Sequence, residues 1–437
     1  MMKCNLGIVF AMCLSLLGMT GITAAESVKR PPNVIVILTD DLGYGDLGSY
    51  GNEVIDTPNL DQMANEGVRF TNAYASASNC TPSRAGLLTG RYPIRSGMAH
   101  QVLFVNDTHG LPLEEITIAE MLKESGYQTA IIGKWHLGHT ETFWPTQHGF
   151  DYYYGLPYSN NQNPLALYRN RQKIEEPVVQ QTLTQRYTSE AINFIRDNKD
   201  RPFFIYIAHT FPHVPLYASE DFVGKSEASL YGDVVEELDW STGAILKSLK
   251  AMGLDQNTLV IFTSDNGPYQ GGVTAGLRST KGTAWEGGYR VPFIARWPGE
   301  IPENKVSNGI SMNIDLLPTI ATITRSELPK GRKIDGRDIT SMLKGSHDSP
   351  HEKLYFFADD DIAAVRTQNW KAVLSGRYRG VNRWFPDHDL KLLFDMNADP
   401  QERYSVESTH KDQWEKMMRF YREGRKEFGL SARHKSR

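Results

Sequence analysis

The chain has 437 residues, of which 40% are hydrophobic and 22% are charged. This is the composition of an ordinary folded protein, and it excludes a disordered chain, a collagen and a coiled coil. Lysine and arginine total 47 and aspartate and glutamate total 51, which gives a formal net charge of −4. A chain so evenly balanced has no overall basic surface, so we expect no nucleic-acid partner.

The first 25 residues have the pattern of a secretory signal peptide. Lys3 gives a positive start, residues 8–17 are an apolar run, and residues 23–25 are small enough for cleavage. The apolar run is too short and too interrupted to predict a membrane anchor. We therefore expect cleavage after residue 25 and a periplasmic or secreted mature protein with no membrane attachment.

Short apolar runs rich in β-branched residues alternate with amphipathic helical patterns. The runs are typical of buried strands in a parallel sheet, and they cover residues 34–38, 128–132, 203–208 and 259–262. The helical patterns cover residues 117–125, 184–196 and 231–252. This alternation predicts an α/β fold, with a large mixed, mostly parallel sheet flanked by helices.

The composition changes after about Arg325, where Gly, Lys, Asp and Ser become frequent and the apolar runs become shorter. Residues 354–357 form one of these short runs, residues 363–373 and 391–395 resemble antiparallel strands, and residues 410–428 resemble a charged helix. We therefore predict a main domain over residues 26–325. A smaller C-terminal α+β subdomain, which contains an antiparallel sheet, is predicted over residues 326–437.

Each of the four predicted strands is followed at once by side chains capable of chemistry. They are Asp40 and Asp41, then Lys134 and His136, then His209 and His213, and finally Asp265 and Asn266. Ligand sites in open α/β sheets form beyond the carboxyl ends of the strands. Polar loops alone would explain one or two such clusters, whereas four recurring in the same place predict a shared cleft.

The number and positions of the cysteines also bear on the function. Cys4 and Cys13 lie in the predicted signal peptide, so the mature chain would keep Cys80 alone and form no internal disulfide. A single cysteine is often buried and inert. The alternative is that Cys80 takes part in the reaction.

The residues around Cys80 predict the start of a helix. Thr81 can cap it, Pro82 suits its first position, and Gly90 suits its end. Cys80 would then lie at the positive end of the helix dipole, with Arg84 about one turn further on. A plain thiolate nucleophile is one possibility for such a cysteine.

The stretch Cys80-Thr81-Pro82-Ser83-Arg84, continued by Leu88-Thr89-Gly90-Arg91, resembles the motif of the formylglycine-dependent sulfatases. These enzymes belong to the alkaline phosphatase superfamily, and residues 90–149 look closest to arylsulfatases and hexosamine-6-sulfatases. The resemblance implies that a formylglycine-generating enzyme oxidises Cys80 to Cα-formylglycine during export. It also assigns residues 26–325 as the catalytic domain.

The resemblance further implies a divalent cation bound by residue 80 together with Asp40, Asp41, Asp265 and Asn266. Carboxylate and amide oxygens are the ligands that Ca²⁺ prefers, and Mg²⁺ is the alternative. Asp40 and Asp41 alone would fit a solvated turn. A second polar pair after another strand favours the metal site.

The remaining roles are likewise implied by the resemblance. Lys134 and Lys281 would bind the sulfate group, His136 would lie near the formylglycine hydroxyls, and His213 would approach the leaving-group oxygen. Lys134 and His136 are two residues apart, so on an extended segment both side chains would face the same way.

Two further positions take part in this interpretation. Arg84 would hold the hydrated aldehyde and neutralise the acids, and Asp265 would help to deprotonate the attacking hydroxyl. His209 fits a structural histidine at least as well as a catalytic one.

The expected reaction is hydrolysis of a sulfate monoester to an alcohol and inorganic sulfate, by attack of a formylglycine geminal diol. A sulfated carbohydrate is the favoured substrate, because residues 155–161 and 377–388 mix aromatic rings with polar and cationic groups. Ordinary surface loops of a small subdomain explain this mixture equally well. The alternatives are an arylsulfatase of broad small-molecule specificity, a phosphatase or phosphodiesterase of the same superfamily, and an inactive glycan-binding relative.

Overall fold

The structure is a computed structural model, and it describes residues 1–2, 30–100, 102–376 and 388–430, with the backbone alone at 388–389. Most of the predicted signal peptide and the segment 377–387 lie outside the described residues. Contacts between residues divide the chain into Met1–Arg30 and Pro31–Arg437, and the fold belongs to the second unit. Within the described residues, no helix combines the length and the apolar character needed to cross a membrane.

The centre of the fold is a large mixed sheet. The strands of the main part of the chain are β1 (Asn33–Thr39), β2 (Val68–Phe70), β3 (Ala73–Tyr74), β4 (Gln128–Gly133), β5 (Tyr152–Gly155), β6 (Leu167–Arg169), β7 (Gln172–Glu175), β8 (Phe203–Ala208), β9 (Thr258–Ser264), β10 (Phe293–Arg296), β11 (Lys305–Ser307) and β12 (Ser311–Met312). Ten of them form one sheet in the order β11-β2-β10-β9-β1-β8-β4-β5-β6-β7. The strands β9, β1, β8, β4 and β5 run parallel, and antiparallel neighbours extend the sheet on both sides.

The four predicted strands are confirmed as β1, β4, β8 and β9, which lie side by side in the middle of this sheet. Their residues are almost entirely buried, because side chains on both faces are covered. In β1, Val34, Val36 and Leu38 belong to one core cluster. Ile35 and Ile37 belong to the cluster on the opposite face. This two-sided burial explains why these strands read as continuous apolar runs.

Helices cover both faces of the sheet. They are α1 (Pro58–Asn65), α2 (Cys80–Thr89), α3 (Ile118–Glu124), α4 (Leu183–Asp197), α5 (Ser229–Ala251), α6 (Glu286–Tyr289), α7 (Leu316–Thr324) and α8 (Thr340–Leu343). The three helices predicted from amphipathic patterns correspond to α3, α4 and α5. Thr117 and Glu120 form a capping box at the start of α3, which fixes that boundary.

The C-terminal region forms the predicted antiparallel sheet. Its strands are β13 (Leu354–Ala358), β14 (Asp361–Arg366), β15 (Trp370–Ser375) and β16 (His388–Asp395), and they pair in that order. Helix α9 (Lys411–Glu427) contributes Met417 and Phe420 to the same apolar cluster. That cluster also contains Trp285 and Tyr289 of the main domain, with the ring of Tyr289 stacked 4.3 Å from that of Phe356. The fold class is therefore confirmed, whereas the domain boundary at residue 325 stays a prediction.

Candidate active site

The site lies where the central parallel strands end. The register pairs Thr39 with Ser264 and Leu38 with Ala208, so β1, β9 and β8 end level with one another. Gly133 pairs with the same Ala208, which brings the end of β4 to the same edge. Side chains that follow these strands are therefore brought together, as the sequence predicts.

The three aspartates gather closely in the buried floor of the site. Ligand oxygens of Asp40, Asp41 and Asp265 all lie within 4.8 Å of one another. Asn266 joins them by donating from Nδ2 to Asp41 Oδ1 at 2.7 Å. Asp41 Oδ2 and Asn266 Oδ1 are buried without a hydrogen-bond partner. Buried polar atoms without partners are costly, so these oxygens fit a hard cation of the Ca²⁺ type.

Two lysines reach into this acidic cluster from different directions. Lys134, directly after β4, donates from Nζ to Asp40, and Nζ lies 3.3 Å from Ser159 Oγ. Lys281 Nζ lies 2.6 Å from Asp41 Oδ1 and 3.1 Å from Cys80 Sγ. Each lysine is therefore held by one of the aspartates, and Lys281 also lies beside residue 80, an arrangement suited to an anionic ligand.

Arg84 lies behind the site, fully buried, and spans two of its elements. Its guanidinium contacts Asp265 Oδ2 at 3.0 Å from Nε and at 2.8 Å from Nη2. Nη1 donates to the backbone carbonyl of Lys134 at 2.9 Å, and Nη2 lies 3.4 Å from Asp40 Oδ2. Arg84 thus fixes the positions of Asp40, Asp265 and the segment that follows β4.

Burial and neighbouring charges shift the pKa values of Asp40 and Asp265 in opposite directions. Burial alone would raise the pKa of Asp40, but Lys134 and Arg84 outweigh it and hold that pKa well below its usual value. Burial and the neighbouring Asp40 raise the pKa of Asp265 to about 6. Asp40 is therefore a permanent anion, and Asp265 is the carboxylate with appreciable proton affinity.

Cys80 is the first residue of α2 and is fully enclosed. Its Sγ lies 3.5 Å from Asp40 Oδ1, and burial outweighs Lys134 and Lys281 to raise the pKa of the thiol to about 12. Cysteine reactivity requires the thiolate, so an unmodified Cys80 would be a weak nucleophile at neutral pH. The possibility of a plain thiolate nucleophile loses support from this environment.

The prediction that Thr81 caps α2 is wrong. The N-cap is Asn79, and Thr81 lies inside the first turn. The Thr81 hydroxyl donates to the His136 carbonyl at 2.9 Å and accepts from the Leu103 amide at 3.1 Å. Thr81 therefore joins two loops of the site. Gly90 ends the helix as predicted, with a left-handed φ of 68°.

His136 does not continue an extended segment as we expected, because its φ is 58°. Its Nε2 lies 2.8 Å from the Leu103 carbonyl, and Nδ1 is buried without a hydrogen-bond partner. Burial and the charge of Lys134 lower its pKa well below the usual value. His136 is therefore a neutral imidazole with one nitrogen available.

His213 approaches the site from the loop after β8. Its Nδ1 lies 2.6 Å from the Val214 carbonyl, which requires a proton on Nδ1, and 3.1 Å from Asn160 Oδ1. Nε2 faces the acids, 3.8 Å from Asp41 Oδ2. Burial lowers the pKa of His213 to about 4. His209 instead faces α5, with Nε2 at 3.4 Å from Ser241 Oγ, which matches its structural interpretation.

The sequence did not predict two of the residues that contact Lys134 and His213 in this site. Residues 155–161 suggested a surface for stacking sugars, whereas Ser159 and Asn160 are buried and contact Lys134 and His213. Ser159 and Asn160 are distant in sequence from Lys134 and His213, and no sequence spacing predicts that these residues meet. The other suggested sugar segment, residues 377–388, lies almost wholly outside the described residues.

The comparisons with known proteins point to one family. The sulfatase family model matches residues 32–326, and the model described as N-sulphoglucosamine sulphohydrolase, C-terminal, matches residues 280–423. Human arylsulfatase A is 38% identical over 88% of this chain and 85% of its own length. N-acetylgalactosamine-6-sulfatase of Canis lupus familiaris is 37% identical over 90% and 85%.

A solved structure shows the same fold. Ps i-CgsB in complex with k-i-k-neocarrahexaose aligns with a TM-score of 0.81 and 30% identity, over 90% of this chain and 92% of that one. The chain therefore belongs to the sulfatase family, within the alkaline phosphatase-like fold. It is a hydrolase of sulfuric esters, as the resemblance of residues 80–91 implies.

Proposed function

We propose that the protein is an exported carbohydrate sulfatase whose nucleophile is formylglycine at position 80. The observation that carries this proposal is the position of Cys80, enclosed between Asp40 and Lys281 with its thiol pKa raised to about 12. A buried thiol that stays neutral has no evident role among these charged groups. Oxidation by a formylglycine-generating enzyme would give this position a function.

A divalent cation belongs to the same proposal. Asp40, Asp41, Asp265 and Asn266 would hold it together with residue 80, and their oxygen donors favour Ca²⁺ over softer metals, with Mg²⁺ as the alternative. The two unpartnered oxygens, Asp41 Oδ2 and Asn266 Oδ1, support this assignment. Such an ion would offset the negative charge of a sulfate ester beside the three aspartates.

The chain itself would bind and orient the ester. When oxidised and hydrated, residue 80 supplies a hydroxyl nucleophile and, by re-forming its carbonyl, a route for releasing sulfate. Lys281 lies beside this position and Lys134 lies beside Asp40, and both would bind the sulfate oxygens. Asp265 would accept a proton from the nucleophile, and Arg84 would keep Asp265 in place.

The two histidines would transfer the other protons. Nδ1 of His213 is committed to the Val214 carbonyl, so a second proton would reside on Nε2, which faces the site. The negative charge of a bound sulfate ester would favour that imidazolium, which could protonate the departing alcohol together with Lys281. The unpartnered Nδ1 of His136 would accept a proton from residue 80 when sulfate leaves.

The carbohydrate substrate rests on the relatives. One is an N-acetylgalactosamine-6-sulfatase, and Ps i-CgsB was solved with a neocarrahexaose. The 38% identity to human arylsulfatase A supports the second candidate, an arylsulfatase of broad specificity. A phosphatase is less well supported, since enzymes of that kind use Ser or Thr at the position of Cys80.

Sulfate release from defined substrates tests this proposal. The protein is produced with a formylglycine-generating enzyme and supplied with sulfated oligosaccharides, 4-nitrophenyl sulfate and 4-nitrophenyl phosphate. We expect Ca²⁺-dependent release of inorganic sulfate, fastest from one sulfated oligosaccharide, and none from Cys80→Ala. Faster hydrolysis of the aryl sulfate than of every oligosaccharide would favour the second candidate. Hydrolysis of the phosphate alone, or full activity in Cys80→Ala, would contradict the proposal.

A further inference from the structure

The loop that carries Lys281 has little regular structure of its own. Between the end of β9 and the start of α6, residues 265–285 contain no helix or strand. Two backbone hydrogen bonds hold the lysine locally, from the Lys281 amide to the Pro268 carbonyl at 2.9 Å and from the Gly282 amide to the Ser78 carbonyl at 2.8 Å. A loop of this kind depends on outside contacts for its position.

Glu402, from the C-terminal region after β16, contacts this loop on both sides of Lys281. Its Oε2 accepts from the Glu286 amide at 2.7 Å, and its backbone carbonyl accepts from Arg278 Nη1 at 2.9 Å. The Arg278 guanidinium also stacks 3.6 Å above the ring of Trp285. One residue of the C-terminal subdomain thus fixes positions 278 and 286, which bracket the lysine.

The carboxylate of Glu402 belongs to a network of buried charges. Lys371 Nζ, on β15, lies 2.8 Å from Glu402 Oε1 and 3.0 Å from Glu286 Oε1. All three side chains are fully buried. Tyr74 donates to Glu286 Oε2 at 2.9 Å, and Arg290 lies 3.5 Å from the same oxygen. Lys371 therefore bridges the two glutamates, and Glu286 also pairs with Arg290 of the main domain.

Stability alone does not account for this network. Buried ion pairs are often no more stabilising than apolar residues of similar size. Glu402 also has a left-handed backbone, with φ of 57°, although it is not a glycine. Such conformations cost about 1–3 kcal/mol and persist where the surroundings impose them, commonly near functional sites. Here both the side chain and the carbonyl of the strained residue are used by the Lys281 loop.

We propose that Glu402 is a positioning residue of the active site. It acts as a latch that holds the loop of residues 278–286, so that Lys281 Nζ stays beside Asp41 and residue 80. The inference rests on the proposed function for the role of Lys281. It assigns to the C-terminal subdomain a part in catalysis that involves no contact with the substrate. Displacement of a charged group by about 1 Å is enough to lower a rate by about 10²-fold.

A double-mutant cycle tests whether Glu402 acts through Lys281. We expect Glu402→Ala to lower kcat/KM by about 10²-fold. We also expect Glu402→Gln, which still accepts from the Glu286 amide, to recover part of that loss. In Lys281→Ala, adding Glu402→Ala should change kcat/KM by no more than about 2-fold. Multiplicative losses in the double variant would overturn the proposal.

A matched control separates this effect from general damage. Glu427, on α9, also joins the C-terminal region to the main domain through Arg95, but it does not contact the Lys281 loop. We expect Glu427→Ala to leave kcat/KM almost unchanged, both in the wild-type background and in the Lys281→Ala background. A loss in Glu427→Ala equal to that in Glu402→Ala would show that any weakened domain contact has the same effect, and would overturn the proposal.

Limited proteolysis tests the latch without using activity. Arg278 is an exposed trypsin site, and cleavage after it requires the loop to leave its anchored position. We expect cleavage to be at least 10-fold faster in Glu402→Ala than in wild type or Glu427→Ala, at temperatures well below each Tm. Faster cleavage in Glu402→Ala would support the latch. If the wild-type protein at the same time had no sulfatase activity, the proposed function would be contradicted while the latch would stand. Unchanged cleavage would overturn the latch itself.

Discussion

Asp41 illustrates, at the scale of single residues, why the acidic cluster needs a counter-charge. Its Oδ1 accepts from Lys281 and from Asn266, whereas its Oδ2 has no hydrogen-bond partner. The residue also has a left-handed φ of 68°. Strained backbone and an unsatisfied buried oxygen are tolerated when binding of a ligand compensates for their cost.

We therefore expect Ca²⁺ to stabilise the folded protein through Asp41. Saturation at 100 times the Kd adds about 2.7 kcal/mol to the free energy of unfolding, because the ion binds the native state. Calorimetry should show Tm rising with Ca²⁺ and falling with a chelator, and Asp41→Asn should lose most of this response. The matched control is Asp335→Asn, since that carboxylate binds Arg95 elsewhere. The same Ca²⁺ response in both variants would contradict the metal assignment.

The sequence was sufficient to predict that some of these residues lie together, but not others. Asp40, Asp41, Asp265 and Asn266 were predictable because they directly follow buried strands, whose ends must meet at one edge of the sheet. Ser159 and Glu402 were not, because their contacts depend on how distant loops pack. Thr81 was assigned to the wrong role because Asn79, equally suited to an N-cap, precedes it by two positions.

At the scale of elements, the site depends on how closely β4 and β8 approach at their ends. Gly133, the last residue of β4, has φ of 118°, and a Cβ atom there would overlap the Ala208 carbonyl oxygen. Lys134 follows directly, and its amide donates to the same carbonyl at 2.7 Å. Glycine at this position therefore sets the path that brings Lys134 to the site.

We expect Gly133→Ala to damage both stability and catalysis. Backbone strain and the overlap with Ala208 together cost about 3 kcal/mol or more, measured by urea unfolding. The control is Gly126→Ala, where φ is also left-handed at 83° but nothing lies within 4 Å of the added Cβ. It should cost about 1 kcal/mol and leave kcat/KM intact. Equal effects of the two substitutions would argue against a packing role for Gly133.

The alternation of strands and helices predicted the central elements because β1, β4, β8 and β9 are buried on both faces. Short strands such as β2 and β12 escaped detection, since three or two residues carry no periodicity. The left-handed turn at His136 was also beyond prediction, because only tertiary contacts impose that conformation.

At the scale of the whole molecule, buried neutral histidines make stability sensitive to acid. The imidazole of His148 is buried against the ring of Trp135 without a hydrogen-bond partner, and burial lowers its pKa from 6.5 to about 4. Burial lowers the pKa of His209 to about 3. The unfolded chain therefore binds more protons than the folded one between these values and 6.5, so stability falls as the pH drops through that window.

We expect the free energy of unfolding to decrease by up to about 1.4 kcal/mol per pH unit for each of these histidines. Urea titrations between pH 7 and pH 5 measure this slope. His148→Phe should flatten it, because the site is apolar and no hydrogen bond is lost. His100→Gln, at an exposed position, should leave it unchanged. An unaltered slope in His148→Phe would show that His148 does not titrate as described.

The central claim is that the aldehyde at position 80, rather than the thiol, performs catalysis. Preparations made with graded amounts of formylglycine-generating enzyme would contain different fractions of the two forms. Mass spectrometry of the peptide containing residue 80 gives the aldehyde fraction, and sulfate release gives the specific activity. We predict that activity is proportional to the aldehyde fraction and reaches zero with it. Full activity in protein that carries only the thiol at position 80 would contradict the account.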